Sequence, residues 1–252
     1  ALLTTYTFSG NTPSSGAAGP TLAAVSNALA RGATVRFAVD KGVNINSNYW
    51  PGVSLRSRSL RSGNALALAQ DDSAFGIMHD KLGVFRFGGT NRWIFVGSWN
   101  FTGGASINQW NVAVELRNDA VYAAYTNEIA QFMAGHFHDD PAKSHAHDGA
   151  VFRLAESRGD SWVRFGPYPH GNDGGNNAGT DIVNLIGAAE EEIVFGLNSF
   201  TLEVIRDALI DAANRGVRIT GALPKSDYET SAASSYEIYT YLTNAAHYLT
   251  TN

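Results

Sequence analysis

The chain has 252 residues, a formal net charge of −5 and no cysteine. Hydrophobic residues make up 44 % and charged residues 16 %, which excludes a disordered chain and leaves room for a sizeable core. The absence of cysteine excludes a disulfide framework. No apolar run approaches the length of a membrane-spanning helix. The acidic balance argues against a stable nucleic-acid partner, since nucleic-acid binders are usually basic.

The first elements in chain order are a strand over residues 3–9, a helix over 22–30 and a second strand over 33–40. The helix is predicted from the apolar spacing of Leu22, Val25 and Leu29, and Gly32 ends it. Residues 42–74 are rich in Asn, Ser and Gly and are predicted to be irregular. This stretch also contains basic residues that either capture phosphate or carry solvated charge, namely Arg56, Arg58 and Arg61.

The most informative stretch is residues 75–102, which places several polar side chains around two apolar segments. His79 and Lys81 are two residues apart, so on a strand their side chains leave the same face. A second strand over 93–96 leads into Gly97 and Ser98, followed by Asn100. An imidazole, an ammonium, a hydroxyl and an amide are the groups needed to attack a phosphodiester and to stabilise its oxygens.

The pattern His79-x-Lys81, followed by Gly97-Ser98-x-Asn100, resembles the signature of the phospholipase D superfamily. The resemblance implies an α/β fold of two similar lobes, each a mixed β-sheet flanked by helices. One position departs from the family pattern, because Arg86 stands where the family has an aspartate.

The resemblance also implies a role for each residue. His79 is expected to be the nucleophile that forms a phosphohistidine, while Lys81 and Asn100 bind the non-bridging oxygens with help from Ser98. A second histidine is expected to protonate the leaving group and then to activate water. No metal or other cofactor is implied, because Lys81 and Asn100 supply the electrophilic groups.

Three further residues are candidates for the substrate side of the site. Trp99 belongs to a set of aromatic residues that either line a pocket for a cationic headgroup or pack in the core, and core packing is the favoured interpretation for each of them. Asn111 stands near the start of a predicted strand over 111–116, where the family has an acidic residue that orients the histidine. Glu115, on the same face of that strand, is the alternative orienting residue. Asp119 is predicted to cap the next helix, which runs to about Met133. Four residues of this helix are predicted to face inward, namely Val121, Tyr125, Ile129 and Phe132.

The segment after that helix is dense in histidine and aspartate. These side chains either hold a metal ion or lie in a solvated loop, and the second interpretation is favoured because no spacing among them matches a known ligand pattern. They are His136, His138, Asp139, Asp140, His145, His147 and Asp148.

An internal repeat divides the chain into a first lobe over residues 1–150 and the start of a second lobe over 151–252. Aligning Gly32 with Gly216 gives an offset of 184 residues, which would place a second H-x-K motif near position 263. The second lobe is therefore predicted to be incomplete in this chain. We expect a companion polypeptide to carry the second motif, with a homodimer as the alternative.

Together these observations predict a phosphoric diester hydrolase or transferase that acts on the headgroup of a phospholipid or on a glycerophosphodiester. The alternatives are a nuclease that uses the arginines of residues 56–61, or a non-catalytic binding homologue, which the departures at Arg86 and Asn111 favour. The sequence starts at Ala1 and not at Met, as a processed protein would and as a chain cut at that point equally would. We expect secretion.

Overall fold

The computed structural model describes residues 2–5, 19–40, 66–70, 78–101, 109–137, 151–156, 159–165, 178–232 and 235–244. The chain divides into two compact units, Ala1–His170 and Gly171–Asn252. The sequence predicted the division after residue 150. No helix in the described ranges is long and apolar enough to cross a membrane.

The first unit is built on a six-stranded sheet in the order β3-β2-β1-β4-β5-β6. Strands β1, β2 and β3 run parallel, whereas β4, β5 and β6 are antiparallel neighbours, so the mixed α/β fold is confirmed. The strands are β1 (Leu2–Thr5), β2 (Val35–Val39), β3 (Leu66–Gln70), β4 (Leu82–Arg86), β5 (Arg92–Gly97) and β6 (Ala113–Leu116).

Helix α1 (Gly19–Ala30) connects β1 to β2, and helix α2 (Asp119–Met133) packs on one face of the sheet. Alternation along β4 and β5 sends Leu82, Val84 and Ile94 into the core beneath α2. The inward face of α2 is as predicted, with Val121, Tyr125, Ile129 and Phe132 all buried.

The structure corrects three sequence predictions. Residues 66–70, predicted to be irregular, form β3 beside β2; their Leu-Ala alternation is a weak strand pattern because alanine has little β propensity. The H-x-K residues lie just before β4, not within it. The N-cap of α2 is Asn118, whose side chain accepts hydrogen bonds from the amides of Ala120 and Val121, while Asp119 is the first helical residue.

A hairpin that the sequence did not predict closes the described part of the first unit. Strands β7 (Val151–Glu156) and β8 (Gly159–Arg164) pair antiparallel. Phe165, the residue after β8, packs edge-on against Tyr125 of α2 with ring centroids 4.8 Å apart. The hairpin therefore belongs to the core of the first unit.

The second unit repeats the start of the first. Its elements are α3 (Ala178–Ala188), β9 (Glu192–Gly196), α4 (Glu203–Asn214), β10 (Arg218–Ala222), a short 3₁₀ helix (Lys225–Asp227) and α5 (Tyr236–Thr243). Strands β9 and β10 pair in parallel across α4, as β1 and β2 pair across α1. Their core-facing residues Ile193, Phe195 and Ile219 pack against buried residues of α4 and α5.

The ends of α1 and α4 show the repeat in atomic detail. Each helix stops at an Arg-Gly pair whose glycine has a positive φ, 87° at Gly32 and 95° at Gly216. In each copy the next amide bonds to the carbonyl five residues earlier, Ala33 to Ala28 at 3.0 Å and Val217 to Ala212 at 3.1 Å. The predicted internal repeat is therefore present in the structure, as a strand, a helix that ends at Arg-Gly, and a second strand.

Candidate active site

The pairing of β4 with β5 brings the two halves of the sequence motif together. The amide of Gly97 donates a hydrogen bond of 3.2 Å to the carbonyl of Lys81, which continues the ladder of the strand pair. Lys81 is only 4 % exposed, and its ammonium group donates to the carbonyl of His79. His79, Lys81 and the Gly97-Ser98 turn therefore lie at the same end of the sheet.

Gly97 is required by the close approach of the chain that leads into β6. A Cβ atom at this position would lie 2.1 Å from the carbonyl oxygen of Val112. The absence of a side chain lets Ser98 bond twice to Val112, through its amide at 2.9 Å and its hydroxyl oxygen at 3.0 Å. The Ser98 hydroxyl donates its own proton to Oδ1 of Asn111 at 3.0 Å. Ser98 and Asn111 are thus held beside each other.

Asn100 carries a polar atom that lacks a protein partner in the described part of the chain. Its side-chain Oδ1 is buried without a hydrogen bond. An amide can be turned by half a rotation without changing its shape, which exchanges the oxygen for the NH₂ group. A buried amide in this state suits a ligand oxygen, because leaving the group unpaired costs free energy.

The environment of His79 favours the neutral imidazole. The residue as a whole is exposed, but the protein around its ring removes enough water to lower the pKa. The positive charge of Lys81 lowers the pKa further, and the negative charge of Asp40 opposes both effects. A neutral imidazole is the form that can attack an electrophile.

Burial also changes the acidity of Lys81. Desolvation lowers the pKa of its ammonium group to about 8, although the carboxylates of Asp80 and Asp40 both act to raise it. Lys81 is therefore still charged at neutral pH and loses its proton in the mildly alkaline range. A desolvated ammonium stabilises a developing negative charge better than one surrounded by water.

The family of the chain follows from the match of its sequence to a known family. Residues 2–133, more than half of the chain, match the family described as "Cardiolipin synthase, PLD-like domain". The chain belongs to the phospholipase D superfamily. Membership supports a phosphodiesterase function in general. None of the curated proteins matches the chain.

Three solved structures are partly similar to this phospholipase D-like chain. NucT from Helicobacter pylori is 15 % identical, with 53 % of this chain and 78 % of that one covered and a TM-score of 0.41. Nuc from Salmonella typhimurium, a phospholipase D family member, is 21 % identical, with 53 % and 76 % covered and a TM-score of 0.40. Polyphosphate kinase from Porphyromonas gingivalis is 15 % identical, with 88 % and 30 % covered and a TM-score of 0.48. The family assignment rests on the matched residues 2–133.

The departure from the family pattern at Arg86 lies away from the site. Arg86 ends β4 and pairs with Arg92 across the ladder, whereas Lys81 precedes the other end of the same strand. Five residues of extended chain separate the two by about 16 Å. The local charge therefore differs at the distal end of the strand pair, away from Lys81.

The predicted substrate-side residues occupy different places. Trp99 packs edge-on against Phe101, with ring centroids 4.9 Å apart, and is partly buried beside the site. Asn111 contacts Ser98. Glu115 is exposed and lies opposite Phe95, two residues along β6 from the row of Gly97. The geometry therefore places Trp99 and Asn111 at the Ser98 end and Glu115 further along the strand.

The sequence reasoning missed one charged residue of this region, Asp40. It follows β2 directly, is 2 % exposed, and its Oδ2 accepts a 2.8 Å hydrogen bond from the amide of Met78, next to His79. The available signal was its position at the carboxyl end of a parallel strand, where ligand sites form in α/β sheets.

Two sets of candidates lie outside the described residues. They are the arginines Arg56, Arg58 and Arg61 and most of the His- and Asp-rich segment, residues 138–148. Within the ranges that the structure describes, no group of three or more His, Asp or Glu side chains is arranged to hold a metal ion.

Replacing Lys81 by methionine should change how stability depends on pH. The pKa of Lys81 falls from 10.5 in the unfolded chain to about 8 in the folded one, so between these values the unfolded state binds more protons. Deprotonation therefore adds stability to the wild type as the pH rises. The Lys81→Met variant should be more stable than the wild type at pH 7, and this advantage should shrink by about 2 kcal/mol by pH 10.

Urea unfolding at the two pH values measures this change. The matched control is Lys225→Met, at a lysine whose side chain is 75 % exposed and paired with Glu229. An advantage of Lys81→Met that is the same at both pH values would show that burial does not perturb the ammonium group.

Proposed function

We propose that the protein cleaves or transfers the headgroup of a phospholipid or glycerophosphodiester, with His79 as the nucleophile. The observation that carries the proposal is the buried ammonium of Lys81, held next to the exposed His79 and the Gly97-Ser98 turn. A desolvated cation beside a neutral imidazole suits a substrate that is anionic and electrophilic at one centre. A phosphodiester has both properties.

In the proposed reaction a ring nitrogen of His79 attacks phosphorus and the bond to the leaving alcohol breaks. The leaving oxygen takes a proton from a general acid, and the phosphoryl group stays bound to His79 as a phosphohistidine. Water then attacks phosphorus and loses its proton to the group that acted as the general acid. The bond between phosphorus and His79 breaks, which releases His79. A second alcohol in place of water gives transfer instead of hydrolysis. Lys81 and Asn100 bind the non-bridging oxygens, and Ser98 assists.

The surface beside the site supports a lipid substrate over a nucleic acid. The stretch that leads into β6 exposes three apolar residues at alternate positions, Trp110, Val112 and Val114. Val112 itself is hydrogen-bonded to Ser98. Apolar side chains next to a phosphodiester site suit the acyl chains of a lipid. Tryptophan also suits the edge of a lipid surface, because it combines an apolar ring with a polar N–H group. The net charge of −5 agrees with this preference.

The general acid is proposed to come from a second H-x-K motif on a companion polypeptide. In the described part of the first unit, β1 pairs on one side with β2 and on the other with β4. In the described part of the second unit, β9 pairs with β10. A strand equivalent to β4 at the other edge of β9 would bring a second histidine to that sheet and pair with that edge.

The intact mass of an active preparation tests the companion. We expect a second polypeptide to accompany the chain through purification and activity to be lost when the two are separated. One mass only, with activity per chain that rises with concentration, would instead support a homodimer in which each chain contributes one His79.

Replacing the proposed nucleophile tests the function itself. His79→Asn should lower the rate on phosphatidylcholine vesicles at least about a hundredfold while the unfolding curve stays unchanged, since covalent catalysis contributes several orders of magnitude. The matched control is His136→Asn, the same change after the end of α2, which should keep wild-type activity.

Three classes of substrate separate the alternatives. We expect turnover of phosphatidylcholine or of glycerophosphocholine and none of single-stranded or double-stranded DNA. Cleavage of DNA alone would establish the nuclease instead. Binding of lipid without turnover, unchanged in His79→Asn, would establish the non-catalytic binding homologue.

A further inference from the structure

Asp40 is a buried carboxylate that has no role in the steps of the proposed reaction. It stands directly after β2 and is 2 % exposed. A buried carboxylate is retained in a folded protein only with compensating partners, because removing a charge from water is costly. Its Oδ2 accepts a hydrogen bond of 2.8 Å from the amide of Met78, which directly precedes His79.

This hydrogen bond joins parts of the sheet that are not neighbours. In the strand order β1 lies between β2 and β4, so a bond from the end of β2 to the segment before β4 spans the end of β1. The two residues are 38 positions apart in the sequence. Asp40 therefore fixes the backbone at the entrance to the H-x-K segment.

The charge of Asp40 also acts on both functional side chains. It raises the pKa of His79 and of Lys81 against the desolvation that lowers them. Among the residues that the structure describes, the other charged or titratable groups in the surroundings are Asp80, which acts on Lys81, and Tyr125 and Glu128 of α2, of which Tyr125 is itself influenced by Asp80. Asp40 is the carboxylate that acts on His79 as well as on Lys81.

The family's acidic residue near β6 is replaced here by Asn111, and Oδ1 of Asn111 accepts the proton of the Ser98 hydroxyl. We infer that Asp40 is a positioning residue of the site, supplying from the end of β2 both the hydrogen bond that fixes the H-x-K segment and the negative charge that balances His79 and Lys81. The inference rests on the proposed function for its effect on rate.

The experiment is Asp40→Asn, which keeps an oxygen to accept the Met78 amide and removes only the charge. The matched control is Asp119→Asn, at an exposed aspartate that pairs with Arg92 at 3.0 Å, away from the site. A second neutral variant, Asp40→Ser, also keeps an acceptor and tests the same point if the asparagine variant folds poorly.

Two readouts are needed. The first is the pKa of His79 from the NMR titration of its ring proton, assigned by its absence in His79→Asn, which requires no activity. The second is the pH profile of kcat/KM on phosphatidylcholine vesicles. We expect the pKa of His79 to fall because the charge that raises it is gone, and both limbs of the profile to move to lower pH. Asp119→Asn should change neither.

The outcomes are distinct. A lower pKa of His79 with no turnover in any protein, wild type included, would support the role of Asp40 and contradict the proposed function. An unchanged pKa of His79 in a folded neutral variant would overturn the inference. Failure of both neutral variants to fold would also overturn it, because the carboxylate would then be a requirement of folding.

Discussion

The hydrogen bond between the amide of Gly97 and the carbonyl of Lys81 is the contact on which the site depends. It lies where the β4–β5 ladder ends, and it sets the register that places His79 and Lys81 beside the Gly97-Ser98 turn. A slip of one residue would send the side chain of Lys81 to the other face, since side chains alternate along a strand. The buried residues beneath α2 prevent that slip, because the same shift would expose Leu82 and Val84.

The electrostatic balance of the site follows from this burial. Lys81 is 4 % exposed, and this burial lowers the pKa of its ammonium group. The carboxylates of Asp80 and Asp40 act to raise the same pKa. The outcome is an ammonium that is charged at neutral pH but poorly hydrated, next to an imidazole that is mostly neutral. Both are the forms required for attack on an anionic phosphorus centre.

Local pattern was sufficient to predict much of this arrangement from the sequence. The Gly97-Ser98 turn after a strand and the apolar positions of α2 are determined by neighbouring residues, and the structure agrees with them, whereas His79 and Lys81 lie just before β4 and not on a strand. The placement of Asp40 beside Met78 depends on the strand order β2-β1-β4, which brings together residues distant in sequence. Spacing along the chain does not reveal such a contact.

The sequence predictions that the structure corrects also failed for physical reasons. Strand β3 was missed because alternating leucine and alanine is a weak β pattern until a neighbour such as β2 pairs with it. The cap of α2 was assigned to Asp119 and belongs to Asn118, one residue earlier, because both side chains can cap and only the backbone geometry distinguishes them. The repeat was visible in the sequence because both copies use the same Arg-Gly helix end.

Trapping the covalent intermediate tests the central claim most directly. An active preparation mixed with phosphatidylcholine and quenched during turnover should carry a phosphatidyl group on the peptide that contains His79, detected by mass spectrometry of the digested protein. The adduct should be absent in His79→Asn and present in His136→Asn. An adduct on a different residue, or rapid turnover with no adduct at any quench time, would contradict the assignment of His79 as the nucleophile.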